Sequence, residues 1–349
     1  MRPVTTVHDR RHVRAYGRAA RPHGSAASIR RETRTDEGRR RSGTCDSRWK
    51  HCSRTYPPSR SPRARDFYRS RAAGRGPAGF EQLKEARAKK PAPRAAVPPP
   101  VEETVEAAGV RVPVRIFLPS GGPPRGVHLE IHGGGFYMDS AAHSDVPNRA
   151  LAEALHTAVV GVDYRLAPED PWPAAPDDCE AVALWLVEQA EARFGTARLT
   201  IGGSSAGATL ALATLLRLRD RGVADRFAGA ALRFGTWDLS AHTPSGRLIA
   251  DEYFIQAYVG HVPDRDRTLP DISPLYADLT GLPPALLVVG AEDILLEDNL
   301  TLAGRLSAAG NDVELRVYPA APHGFTGHPT ALAATALDGI NSWLRERIS

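Results

Sequence analysis

The chain is constrained most by six residues, Gly202-Gly203-Ser204-Ser205-Ala206-Gly207, set between a short apolar run at 199–201 and a longer apolar run at 208–218. The pattern reads as strand, tight turn, helix. The glycines fix its register. Gly203 and Gly207 put Ser205, not Ser204, at the centre of a G-x-S-x-G turn, where any side chain on either glycine would collide with the neighbouring strand or helix. Such a turn lifts the serine hydroxyl above the edge of a sheet. The helix that follows directs free N–H groups and its positive dipole end toward that hydroxyl. A Gly-rich strand-to-helix turn can also cradle phosphate, but that reading needs a following Gly-Lys-Ser/Thr, which this chain lacks.

Around this turn, apolar strand-like runs alternate with helical ones. Strands are expected at 110–118, 127–131, 158–162, 199–201, 228–234, 286–289 and 313–317. Helices are expected at 80–90, 179–189, 208–218, 299–309 and 331–345. The alternation implies an α/β fold, a mostly parallel central sheet flanked by helices. The polar, aromatic-bearing stretch from about 240 to 271 breaks the alternation and is expected to stand outside the sheet.

Three further features fall at strand ends. His132-Gly133-Gly134-Gly135-Phe136 directly follows the run at 127–131, and consecutive glycines let successive N–H groups converge on one point, an anion-binding concavity. Gly133, Gly134 and the N–H of Ala206, the residue after the serine, are the candidate oxyanion donors. Asp293 follows the run at 286–289, and His323 follows the run at 313–317. In an open parallel sheet the carboxyl ends of the strands gather at one edge, where ligands bind. The chain order Ser205, Asp293, His323 is the order of a hydrolase triad on such a sheet. Ser205 needs a base to become nucleophilic, His323 has the near-neutral titration suited to that role, and Asp293 can hold the imidazole in one tautomer. Each residue alone also has a plain structural reading: a loop histidine, a helix-capping aspartate, a flexible glycine turn.

Charge separates the first part of the chain from the rest. Residues 1–75 hold 21 Lys and Arg against 6 Asp and Glu, so they carry +15 of a total of +5, and the remainder carries −10. This Arg-rich extension lacks the aliphatic content to offset its ordering entropy and is expected to be disordered, or to reflect a start placed too far upstream. No apolar stretch follows its paired arginines, which argues against an export signal. No aromatic spacing in it supports nucleic-acid binding, so no nucleic-acid partner is expected. Cys45, Cys52 and Cys179 show no metal-ligand or disulfide spacing, and no apolar run is long enough to span a membrane. A reducing, cytoplasmic setting is the expectation, with neither metal nor cofactor.

The motifs together resemble the hormone-sensitive-lipase-like branch of the α/β-hydrolase fold, the family IV esterases. To the glycine loop and the serine turn the chain adds Tyr164-Arg165-Leu166-Ala167-Pro168-Glu169, Asp177-Asp178, Ser273-Pro274-Leu275 and His323-Gly324-Phe325. The resemblance covers roughly 76–349 and implies a hydrolase domain with a small helical cap from about 76–108 and 240–270. It further implies a cofactor-independent serine carboxylesterase acting on short- to medium-chain acyl esters, often as a homodimer. The family usually has Asp or Thr where this chain has Ser204, and Asp-Pro-Leu where it has Asp293-Ile294-Leu295. Both departures keep the reactive residue. Two alternatives stand beside hydrolysis of a small ester: an amidase or formamidase using the same triad, and a non-catalytic small-molecule binding protein on the same fold. Receptors that resemble this family lack the histidine, which is present here as His323.

Overall fold

The structure is a computed structural model and describes Phe67 and residues 76–348. Apart from Phe67, the Arg-rich extension and the disorder expected of it lie outside the described residues. Eight strands form one sheet: β1 (Val101–Ala107), β2 (Val110–Phe117), β3 (Val127–Ile131), β4 (Ala158–Val162), β5 (Leu199–Ser204), β6 (Phe227–Arg233), β7 (Ala285–Gly290) and β8 (Val313–Tyr318). Their order is β1-β2-β4-β3-β5-β6-β7-β8. The pairs β1–β2 and β2–β4 are antiparallel, and every later pair is parallel.

The central strands are buried along their whole length because helices cover both faces; β4 and β7 are near-continuous apolar sequence, while β3 buries His128 and Glu130 among its apolar residues. β7 shows the period-2 logic directly. Ala285 and Leu287 enter one apolar cluster, while Leu286 and Val288 enter another on the opposite face. The first cluster is covered by α3 (Ala174–Phe194), α4 (Ala206–Asp220) and α7 (Leu296–Ala308). The second lies under α2 (Asp145–Leu155) and α8 (Ala331–Ile348), which also touch each other.

Outside the sheet lie α1 (Phe80–Lys89), α5 (Pro244–Ile249) and α6 (Tyr253–Val259). The last two belong to the segment between β6 and β7, which forms no strand, as its interrupted pattern suggests. Asp238 anchors its departure: its carboxylate accepts the N–H groups of Ser240 and Thr243, both at 2.8 Å. The Thr243 hydroxyl then accepts the Gly246 N–H at 2.8 Å and caps α5, with Pro244 in its first turn. Asp271 anchors the return. Its carboxylate takes two hydrogen bonds from Arg217, at 2.6 and 2.7 Å, and one from the Trp172 indole at 2.8 Å.

One boundary needs correction. Residues 101–107, included above in the expected cap segment 76–108, are strand β1 of the sheet, paired to β2 with Val105 opposite Val112. Both valines are buried while Glu102 and Glu106 face solvent, so an edge strand shows only one apolar position in its middle.

Candidate active site

Ser205 sits between β5 and α4 with φ 53° and ψ −123°, a conformation that L residues rarely hold. The surroundings impose it. The Ser205 N–H donates to the Arg233 carbonyl at 2.9 Å, and the Ser205 carbonyl accepts from Ala208 at 2.9 Å. A Cβ on Gly203 would strike the Gly207 carbonyl, and one on Gly207 would strike the Ile131 carbonyl. The strand and the helix therefore approach closely only because both positions are glycine.

The structure brings the three candidate triad residues together. His323 Nε2 lies 2.9 Å from Ser205 Oγ, and His323 Nδ1 lies 3.1 Å from each carboxylate oxygen of Asp293. The Asp293 side chain is fully buried and also accepts the Leu295 N–H at 2.9 Å, so its orientation is set from both sides. Phe234 packs edge-on to the imidazole with ring centroids 5.2 Å apart. With Nδ1–H donating to the carboxylate, Nε2 presents its lone pair to the serine hydroxyl.

The glycine loop curls beside the serine, with Gly134 at φ 113° and Gly135 at φ 59°. Gly133 packs against the strand end so tightly that a Cβ would lie 2.7 Å from the Ser204 carbonyl oxygen. Among the described residues, the N–H groups of Gly133, Gly134 and Ala206 have no protein acceptor. His132 is buried, and burial brings its pKa down to about 4, so it is neutral near pH 7. Its ring stacks on Tyr164 at 4.2 Å, and the Tyr164 hydroxyl donates to the His132 carbonyl at 3.0 Å. Burial raises the Tyr164 pKa well above the usual range, so the phenol stays a donor. The Tyr164–Glu169 segment thus braces the loop from below.

Arg87 of α1 was not legible as a site-supporting residue. It donates to the carbonyls of Tyr137 (2.9 and 2.7 Å) and Ala167 (2.7 Å) and pairs with Glu169 at 2.6 Å. It ties the outlying helix to both the glycine loop and the Tyr164–Glu169 segment. Phe136, at the end of that loop, stacks on Tyr258 of α6 with centroids 4.0 Å apart. Beside Ser205 and His323 opens a cavity of about 630 Å³, which runs between α2 and α8 on one face of the sheet. Among the described residues, no group of three or more His, Cys, Asp or Glu could hold a metal ion, and no helix is long and apolar enough to cross a membrane.

The model of the alpha/beta hydrolase fold family matches residues 128–327. The chain belongs to this family, in the hormone-sensitive-lipase-like branch that its motifs resemble. Among curated relatives, the carboxylic ester hydrolase LipN of Mycobacterium tuberculosis is 33% identical over 232 residues, which are 61% of this chain and 61% of LipN. The chain thus spans less than two thirds of that relative's length. The carboxylesterase NlhH of the same species is 32% identical over 252 residues, 67% of this chain and 78% of NlhH. Among solved structures, EstE5 soaked with p-nitrophenyl butyrate superposes with a TM-score of 0.70 at 28% identity, covering 84% of this chain and 99% of that one. A hyperthermophilic esterase of the archaeon Pyrobaculum calidifontis gives a TM-score of 0.69 at 27% identity, covering 83% and 99%.

Proposed function

We propose that the chain is a serine carboxylesterase that hydrolyses short- to medium-chain acyl esters through an acyl-serine intermediate. The reading is supported by the relay Asp293–His323–Ser205, with its 3.1 and 2.9 Å spacings, beside the N–H groups of Gly133, Gly134 and Ala206, which have no protein acceptor among the described residues. Carboxylesterases are among the named relatives, and the similar folds include EstE5, soaked with p-nitrophenyl butyrate, and an esterase of Pyrobaculum calidifontis.

Ser205 Oγ attacks the ester carbonyl as His323 Nε2 takes its proton. The carbonyl oxygen becomes an oxyanion and is met by the N–H groups of Gly133, Gly134 and Ala206, aided by the N-terminus of α4. Asp293, dry and twice hydrogen-bonded, stabilises the imidazolium without taking its proton. His323 then protonates the departing alkoxide, and the acyl group remains on Ser205. Water, deprotonated by the same imidazole, attacks the acyl-serine and releases the acid. In this reading α1, α5 and α6 form a cap, held to the site through Arg87 and through Phe136 on Tyr258.

The test is hydrolysis of p-nitrophenyl acetate, butyrate, octanoate and palmitate, with Ser205→Ala beside the native chain. Turnover of the shorter esters, lost in the variant, is the expected result. Turnover that survives in the variant would mean a different nucleophile.

A further inference from the structure

Helix α1 meets the rest of the chain through a narrow face. Leu83 is its one buried residue, and Arg87, four positions on, lies on the same side of the helix. The Arg87 guanidinium does more than form a surface ion pair. It donates to the Tyr137 carbonyl from Nε at 2.9 Å and from Nη2 at 2.7 Å, and to the Ala167 carbonyl at 2.7 Å. Glu169 takes the remaining edge, at 2.6 and 3.2 Å. Neither carbonyl accepts a backbone N–H among the described residues. Tyr137 and Ala167 are both buried, so without Arg87 two carbonyls would lose a charge-assisted donor where water cannot easily replace it.

The Tyr137 carbonyl is connected to an oxyanion donor through a single turn. It shares a peptide unit with the Met138 N–H, which donates to the Gly134 carbonyl at 2.8 Å. The Tyr137 N–H reaches that same carbonyl at 3.2 Å. The turn therefore holds Gly134 by its C=O and leaves its N–H free to face a substrate. No other residue fits there: at φ 113°, a Cβ on Gly134 would run into the Met138 carbonyl. A cation on the Tyr137 oxygen polarises the peptide and strengthens the Met138 hydrogen bond behind it. The second grip, on Ala167, lies next to the Ala167 N–H, which donates to the Phe136 carbonyl at 3.0 Å. One rigid guanidinium plane thus spans the glycine loop and the segment that braces it.

We propose that Arg87 is a positioning residue for the oxyanion hole: its grip on the Tyr137 and Ala167 carbonyls fixes the 134–138 turn and makes the docking of α1 a condition of full turnover. The proposal rests on Ser205 hydrolysing esters through an oxyanion. Arg87 does not line the cavity beside the serine, so it acts through Gly134. The Gly134 N–H must already be aimed when negative charge develops on the substrate oxygen. A donor that has to be reoriented at that moment contributes less, and the loss falls on the transition state rather than on substrate binding.

The experiment compares the native chain with Arg87→Ala, with active serines counted by titration with diethyl p-nitrophenyl phosphate and the fold followed by melting. On p-nitrophenyl butyrate, kcat per titrated serine is expected to fall by about 10- to 100-fold, with KM changed by less than about threefold. Two ketones of equal length separate the causes. Butyl trifluoromethyl ketone takes the serine oxygen onto its carbonyl carbon and sets an oxyanion in the hole, whereas butyl methyl ketone binds without adding. Arg87→Ala should weaken inhibition by the first by about the factor lost from kcat, and inhibition by the second by less than about twofold. Equal weakening of both, a rise in KM at constant kcat, or an unchanged kcat overturns the proposal and leaves α1 as a cover alone. Should Arg87→Ala not fold, Arg87→Gln, which keeps an amide donor without the charge or the fork, is read in the same way. If the native chain hydrolyses no ester, it is the esterase reading that fails. Calorimetry of the two ketones then decides the clamp separately: a preference for the trifluoromethyl ketone that falls in the variant sustains it, and a preference that is absent or unmoved removes it.

Discussion

Strand β3 faces two different environments. Val127, Leu129 and Ile131 pack into the apolar cluster under α3, α4 and α7, with no exposed surface. Between them, His128 and Glu130 look toward α2 and α8 and carry a hydrogen-bonded, charge-paired system. One face is filled by dispersion and apolar burial. The other trades that filling for space and hydrogen-bonding groups, and its cavity reaches the serine. The lesson is that a parallel sheet can place its site-forming polarity on a single face, because period-2 alternation separates the two faces residue by residue.

The most damaging change strikes where both faces converge, at the turn itself. Ser205→Ala is expected to lower kcat by about 10³-fold or more in the p-nitrophenyl butyrate assay, with an unchanged melting profile. Next comes the ion pair of the open face. Arg233→Met leaves the buried Glu130 without its ion-pair partner, with only the His128 ring against it, and should cost about 3–5 kcal/mol in urea unfolding, whereas the double change Arg233→Met with Glu130→Gln should recover most of that loss. If the single and double variants unfold alike, the pair is not what holds this face. On the filled face, Leu129→Ala should cost about 2–5 kcal/mol, with no recovery by any charge change, since the loss is a cavity.

A smaller effect concerns a charge on the filled side that lacks such a match. Burial, with the Asp238 carboxylate nearby, pushes the Asp298 pKa up to about 6 from a usual value of 3.8. The folded state thus binds a proton that the unfolded chain has lost. Stability from this group is present below about pH 4 and is lost as pH rises to 6. Asp298→Asn should therefore stabilise the chain by about 2 kcal/mol at pH 8, and the gain should vanish below pH 4. Denaturant midpoints measured at both pH values check it. The smallest effect is expected for Tyr164→Phe. Losing the hydroxyl that braces the His132 carbonyl should lower kcat by about 2- to 10-fold with little change in KM, which steady-state kinetics would show.

Much of this was legible in the sequence. The run at 158–162 has the bounds of β4, because a strand buried on both sides is uninterrupted apolar text, and the run at 127–131 has the bounds of β3 through its alternating Val127, Leu129 and Ile131. Ser205, Asp293 and His323 could be picked out because each directly follows or lies just beyond such a run. α2 was missed for a physical reason. It buries Asp145, Asn148 and Arg149, so its inward face does not read as apolar. Asp145 pairs with Arg115 of β2, and the Arg149 guanidinium donates to the Leu118 carbonyl at 2.5 Å. β1 was missed because its outward glutamates outnumber its one buried side chain, Val105. His128 and Glu130 were visible as polar letters inside an apolar strand. Their pairing was not, since Arg233, which meets Glu130, lies on β6 and reaches it only when the sheet is assembled.

The two carboxylates at the ends of the β6–β7 excursion have a consequence for how freely that part of the chain can vary. Asp238 folds the departing chain into a local turn and Asp271 ties the return to Arg217 of α4, so whatever lies between them is a loop with both ends held in place. Closing such a loop costs entropy that grows only logarithmically with its length, about 0.6 kcal/mol per doubling for a flexible segment. Insertions or exchanges between those two posts should therefore leave the sheet's cooperativity intact while reshaping what covers the serine.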